Sequence, residues 1–210
     1  FLINDCKEFG TLPFAGIARC AFVATKILRT FVTHNIIEQT DYNSFFESID
    51  NVQKKINNSL LNSKNKNKFF KDFGHLRPMT YSISSENYQE GFKNYFNTKN
   101  LKFKKTKKFI INKKKKDKIN KIFKKNNINC NANNLLKFAK DAIFHREYSK
   151  LIFTRSIDLI FKELIKLGSK IDIKRNDLEF ISIKDIINYY NNLDVYKLKQ
   201  IMKKNIEQNK

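Results

Sequence analysis

Residues 132–167 read "ANNLLKFAKDAIFHREYSKLIFTRSIDLIFKELIKL", with no glycine or proline, and then meet Gly168. A run of that length, apolar on more than one face, predicts one long helix central to a bundle and closed by the glycine. The rest of the chain extends the constraint. Five glycines and two prolines in 210 residues are too few for the tight turns of a β-sandwich or barrel. Twenty phenylalanines within a 41% hydrophobic composition are enough to bury a core. The expected fold is mainly α, an irregular multi-helix bundle forming one helical domain over 1–210.

Thr11 and Pro13 mark the start of a first helix whose apolar face runs from Phe14 to Val32 and which ends near His34. A second helix is expected from Thr40 or Asp41 through Phe45, Ile49, Val52, Ile56 and Leu60, and a third from Lys64 to Phe73, stopped by Gly74. Residues 74–100 lack sustained periodicity and form a long ordered loop, of a length that in compact domains usually serves a function. A basic segment (101–131) separates this loop from the closing helices (132–210). Two final helices are expected over 182–191 and 194–208, the last of them exposed.

The net charge of +22 is unevenly spread: Lys102 to Lys125 holds thirteen lysines and one acid, Asp117. Ile119, Ile122 and Phe123 keep helical spacing inside that window, as in a surface helix with a lysine-covered outer face. Residues 104–111 read as a loop or a short strand. Contact with a polyanion is the competing reading, since neutralised phosphates release counterions. Phe103 and Phe109 are the rings that stacking on bases would use.

Thirty-six of the forty-two basic residues are lysines. An arginine retained against such a bias is expected where its planar fork is needed. That singles out Arg19, Arg29, Arg77, Arg146, Arg155 and Arg175.

Several chemistries are absent from the linear pattern. The glycines are isolated, so no phosphate-cradling loop assembles. His34, His75 and His145 have no partner at metal-ligand spacing. Cys6, Cys20 and Cys130 are far apart without CxxC spacing, which fits a reducing cytoplasm. The most apolar window, residues 12–32, carries Arg19, Lys26 and Arg29, which disfavours a bilayer span. The interior-like opening "FLINDCKEFG" predicts a piece of a longer polypeptide.

The stretch "FGHLRPMTYSI" (73–83) concentrates a glycine, a histidine, an arginine and a proline. Pro78 biases Arg77 toward an extended conformation, which sets His75 and Arg77 on one side of the chain, beside the hydroxyls of Thr80, Tyr81 and Ser82. Either the two present an anion site, or the arginine pins neighbouring carbonyls or a carboxylate between helices. On the long helix, Tyr148 and Arg155 share one face and Arg146 and Lys150 another, with Glu147 as an ion-pair partner. These side chains either hold the bundle together or meet an acceptor or phosphate. Arg19, interrupting the first apolar helix, reads as a buried or interdomain anchor.

The 73–83 stretch resembles the "YGHLRPGTYDI" motif of the central helical region of phosphoenolpyruvate synthase-like and rifampin phosphotransferase-like enzymes. "EFGTLPFAGIARCAF" (8–22), "AIFHREYSKLIFTRSIDLI" (142–160) and "RNDLEFISIKDI" (175–186) are similar to further segments of that region, in the same order. Met79 stands where the family usually has glycine, and "SSENY" (84–88) replaces a proline–arginine pair.

The resemblance implies a machine in which an ATP-grasp module upstream passes phosphate from ATP, with Mg2+, to a histidine on a swivelling module downstream. That histidine then delivers it to a small acceptor such as pyruvate. This chain would then form acceptor-pocket walls and docking surface, with no catalytic residue, metal or cofactor of its own. The candidate contacts are His75, Arg77, Thr80, Tyr81, Arg19, Arg146, Tyr148, Lys150 and Arg155, and nucleic acid is not an expected partner. A small basic nucleic-acid-binding protein using residues 102–125 is the alternative.

Overall fold

A computed structural model describes residues 1–62, 66–96, 108–189 and 194–210, and among them helices dominate and no strand occurs. In chain order, α1 (Leu2–Asp5) continues through a π-helical stretch (Cys6–Thr11) into α2 (Leu12–Thr33). Then come α3 (Gln39–Glu47), α4 (Val52–Asn62), α5 (Lys66–Phe73) and the single turn α6 (Phe92–Tyr95). After α7 (Lys113–Lys125) the long α8 (Ala132–Lys170) follows, then a 3-10 turn (Arg175–Phe180), α9 (Ile183–Tyr189) and α10 (Val195–Asn209). The mainly α expectation holds. Residues 108–111 are irregular and carry no strand. The remainder of the 104–111 expectation, Phe103, the start of the third helix at Lys64, and the ends of the loop and of the 182–191 helix lie outside the described residues.

The helix ends show how a glycine-poor chain turns. Asn35, Asn127 and Asp172 have φ of 55°, 53° and 56°, and no described glycine has a positive φ. After α2, Ile36 N–H donates to Phe31 O and Asn35 N–H to Val32 O. After α7, Ile128 donates to Phe123 O and Asn127 to Lys124 O. These are paired left-handed caps with asparagine in the place usually held by glycine. The predicted stop of the long helix at Gly168 is therefore corrected: α8 runs on to Lys170, Asp172 makes the left-handed turn, and Ile173 N–H returns to Gly168 O at 2.9 Å. Gly74 does end α5, for a different reason: a Cβ there would lie 2.4 Å from Phe70 O.

The single second helix is also corrected, since it divides at residues 48–51. Ser48 Oγ donates back to Phe45 O, Asn51 Oδ1 accepts from Lys54 N–H, and the Lys54 ammonium binds the carbonyls of Glu47 and Ile49. Local polar groups thus end one helix and cap the next, although the apolar period continues through both. Glu38 and Asp41 close a capping box at the start of α3.

The described residues gather into two compact units. One comprises residues 1–3, 70–96 and 154–210, the other 4–69 and 97–153. In the second, called the seam unit here, Ala21 and Ala24 of α2 meet Ala139 and Ala142 of α8 in a core with Leu28, Phe45 and Ile49. Alanine at these positions lets helices approach closely, and Leu28 and Phe45 fill the flanks. A second cluster packs Ile119 and Phe123 of α7 on Phe31, Ile37 and Leu135. The outward lysines of α7 are exposed, so the amphipathic reading of that helix holds.

In the first, called the loop unit here, Ile83 packs with Ile171, Ile173, Leu178, Met202 and Ile206. The expected exposure of the last helix is corrected accordingly, because Met202 of α10 is fully buried and Ile206 is buried.

The continuous helical stretch Leu2–Thr33 is long and apolar enough, by length and composition, to cross a membrane, as core helices and signal sequences also are. Ala18, Ala21, Ala24, Leu28 and Phe31 form its buried face, while Phe22, Val23, Arg19, Lys26 and Arg29 are exposed.

Candidate functional site

The loop unit is organised by arginines. The loop folds back on itself, with Tyr88 N–H donating to Leu76 O at 2.7 Å and Gln89 N–H to Gly74 O at 3.2 Å. Arg77 is buried and donates to Ser85 O at 3.1 Å, to Ser82 O, and to the carboxylate of Asp158 on α8. Its guanidinium lies over the Phe161 ring, 4.8 Å from the centroid. Asn87, 1% exposed, donates from Nδ2 to the same Asp158 oxygen at 2.9 Å, while its own Oδ1 accepts from the N–H groups of Gln89 and Glu90. Lys162, one turn further along α8, pairs with the other Asp158 oxygen at 2.8 Å.

Burial alone raises the pKa of Asp158, but hydrogen bonds from Lys162 and Asn87 and the charges of Lys162 and Arg77 outweigh it. The carboxyl sits below its ordinary 3.8 and is ionised.

Arg175 completes the clamp. Nε donates to Ile83 O at 2.7 Å, one terminal nitrogen to Ser85 O at 3.0 Å, and the other pairs with Glu90. Ser82 and Ser84 both donate to Glu179, which lowers that carboxyl below its ordinary range. Two of the six arginines therefore use their forks as the composition predicts, to gather carbonyls and a carboxylate at fixed angles. For Arg77 the pinning alternative is the observed one, and its guanidinium is committed to internal partners. His75 and Thr80 are half-buried on the same loop, and Tyr81 is 63% exposed.

Sequence reasoning missed Asp158, Asn87 and Glu179. One signal was available for the first: in "FTRSIDLIF" a lone acid stands among the apolar positions of a central helix, where an unpaired charge is costly.

The seam unit holds an open cleft of about 320 Å3. Phe9, Gly10, Pro13, Phe14 and Ile17 line one side; His145, Tyr148, Ser149, Ile152 and Phe153 line the other. Phe14 and Phe153 meet at 5.1 Å between centroids. A Cβ at Gly10 would come 2.9 Å from Phe153 Cβ, so only glycine lets the π-helical stretch lie this close to α8. Such π-turns recur at functional sites. Tyr148 is 45% exposed and stacks on Phe144 at 5.9 Å and 7°. The imidazole of His145, the phenol of Tyr148 and the hydroxyl of Ser149 are the polar groups on an otherwise apolar wall. Ser149 Oγ donates to Arg146 O.

Neither a family model, nor a curated protein, nor a solved structure matches this chain.

The other predicted site residues are dispersed. Arg19 is exposed, which corrects the buried-anchor expectation. Arg146 pairs with Glu147, as read from the sequence, and sits 5.7 Å from the centroid of the Phe22 ring. Lys150 is half-buried on α8 and Arg155 is exposed. Among the described residues no three histidine, cysteine or acidic side chains cluster as a metal site.

Proposed function

We propose that this chain is the central helical segment of an ATP-dependent dikinase-type phosphotransferase, in which phosphate passes from ATP to a histidine and on to a small acceptor such as pyruvate. It contributes acceptor-pocket walls and docking surface to an ATP-grasp module upstream and a swivelling phosphohistidine module downstream. The observation that carries the reading is convergence. The segments that resemble the family at 8–22 and 142–160 form the two sides of one cleft, and those at 73–83 and 175–186 are tied together through Arg77, Arg175 and Ile83. Segments distant in sequence that resemble one region and assemble into shared sites support a shared role. In the cleft, His145 and Tyr148 orient an acceptor hydroxyl or carboxylate while the phenylalanines exclude water from its apolar body.

The test uses the full-length gene product incubated with labelled ATP. Tyr148→Ala is expected to leave the histidine phosphorylated and to slow phosphate release to the acceptor about 100-fold or more. A gene encoding neither flanking module, or a variant that transfers normally, defeats the reading. Nucleic-acid binding through 102–125 is favoured only by the exposed Lys113, Lys114, Lys118, Lys121, Lys124 and Lys125 of α7. It would show as a steep loss of DNA or RNA affinity with salt that vanishes when those lysines become glutamine.

A further inference from the structure

The seam unit contains a second and larger recess, a trough of about 580 Å3 that shares no lining residue with the cleft at His145. Its floor is apolar. Phe45 and Ile111 are buried, Phe109 meets Phe45 edge-on at 5.4 Å between centroids, and Leu136 of α8 continues the surface. Its rim is cationic. Lys137 and Lys140 stand with Asn133 on one face of α8, Lys116 comes from the first turn of α7, and Lys108 from the irregular segment before it.

Among the described residues no carboxylate lines the trough and none of these four lysines enters an ion pair. The contrast lies next door, where Lys115 takes both Asp41, at 2.5 Å, and Glu38, at 2.9 Å. Asp41 and Glu38 are thus spent on Lys115, while its neighbour Lys116 lines the trough and pairs with neither.

Four ammonium groups without an ion-pair partner around an apolar floor concentrate positive potential. Lys108, Lys137 and Lys140 are exposed and Lys116 is half-buried, so their ammonium groups are free to converge on a counter-charge at the rim. A monocarboxylate would leave three cations unmatched, and a bare phosphate would leave the phenylalanines and Ile111 wet. The recess falls within the size of small-molecule sites, whereas a polynucleotide would need a groove that tracks successive nucleotides.

We propose that the trough binds a small phosphorylated ligand bearing at least two negative charges on an apolar or aromatic body, and that Lys108, Lys116, Lys137 and Lys140 hold its charged end while Phe45, Phe109, Ile111 and Leu136 hold the rest. The proposal is independent of the phosphotransferase reading and would survive its failure.

Calorimetric titration of the full chain with ADP, adenosine, pyrophosphate and a twelve-nucleotide oligothymidylate tests it. ADP is expected to bind, adenosine to give no detectable heat, and pyrophosphate to bind about tenfold more weakly than ADP. The double variant Lys137→Gln/Lys140→Gln is expected to weaken ADP about tenfold or more. The charge-matched Lys121→Gln/Lys124→Gln, on the exposed face of α7, should stay within about twofold of the parent. Failure of ADP to bind overturns the site. So does pyrophosphate binding as tightly as ADP, which would mean charge alone, or an equal loss in both double variants, which would mean a diffuse basic surface. Binding of the oligonucleotide with no binding of ADP would replace the proposal with a polynucleotide groove.

Discussion

The loop unit and the seam unit bury their central contacts by opposite chemistry. In the loop unit the decisive contacts are polar: a buried arginine, a buried carboxylate and a buried amide satisfy one another and several carbonyls. In the seam unit they are apolar and small: alanines on α2 and α8 with Leu28 and phenylalanines around them. A loop without periodicity has backbone groups that no helix satisfies, so side chains must satisfy them. Two helices satisfy their own backbone and need only complementary surfaces. The directional solution holds one loop geometry, and the apolar one leaves room for a cleft and a trough at its margins.

The largest expected effect comes from breaking the polar centre. Asp158→Ala leaves Arg77 buried without its counter-charge and should destabilise the loop unit by about 3–5 kcal/mol, read by urea unfolding. A loss under about 1 kcal/mol would show that the pair is incidental. Gly10→Ala challenges the seam unit by overpacking. It should cost about 1–3 kcal/mol as the added methyl pushes on Phe153, and it should narrow the cleft. If melting is unchanged, the close approach of the π-helical stretch to α8 is not what holds that face together.

The smallest effect is a pH dependence that separates the two regions. The Asp158 carboxyl is held below 3.8 in the folded chain. Its contribution is therefore complete above that value and is lost as the pH falls through the lower folded one. Acidification below pH 4 should shift the amide resonances of Ser85 and Asn87 while Ala24 and Ala139 stay in place. Glu179, also lowered, titrates in the same direction beside Ser82 and Ser84, and Glu179→Gln removes its share. Equal movement in both units would erase the proposed distinction.

The helices were legible because the scarcity of glycine and proline and the apolar period are local properties. The break at 48–51 was not, since Ser48, Asn51 and Lys54 act through single hydrogen bonds that leave the apolar spacing intact. The end of α8 was misplaced because asparagine and aspartate do here what glycine does in richer compositions. Arginine scarcity located Arg77 and Arg175. It did not locate Asp158, which lies far along the chain from Arg77, nor the cleft, whose two sides come from separate segments.

Ser85 offers one carbonyl oxygen to both Arg77 and Arg175. That atom works as a keystone: freeing either guanidinium loosens the seat of the other, so the effects of removing them singly should not sum to the effect of removing both. Hydrogen exchange across residues 82–90 should accordingly proceed as one cooperative block, with the segment either fully seated or fully released.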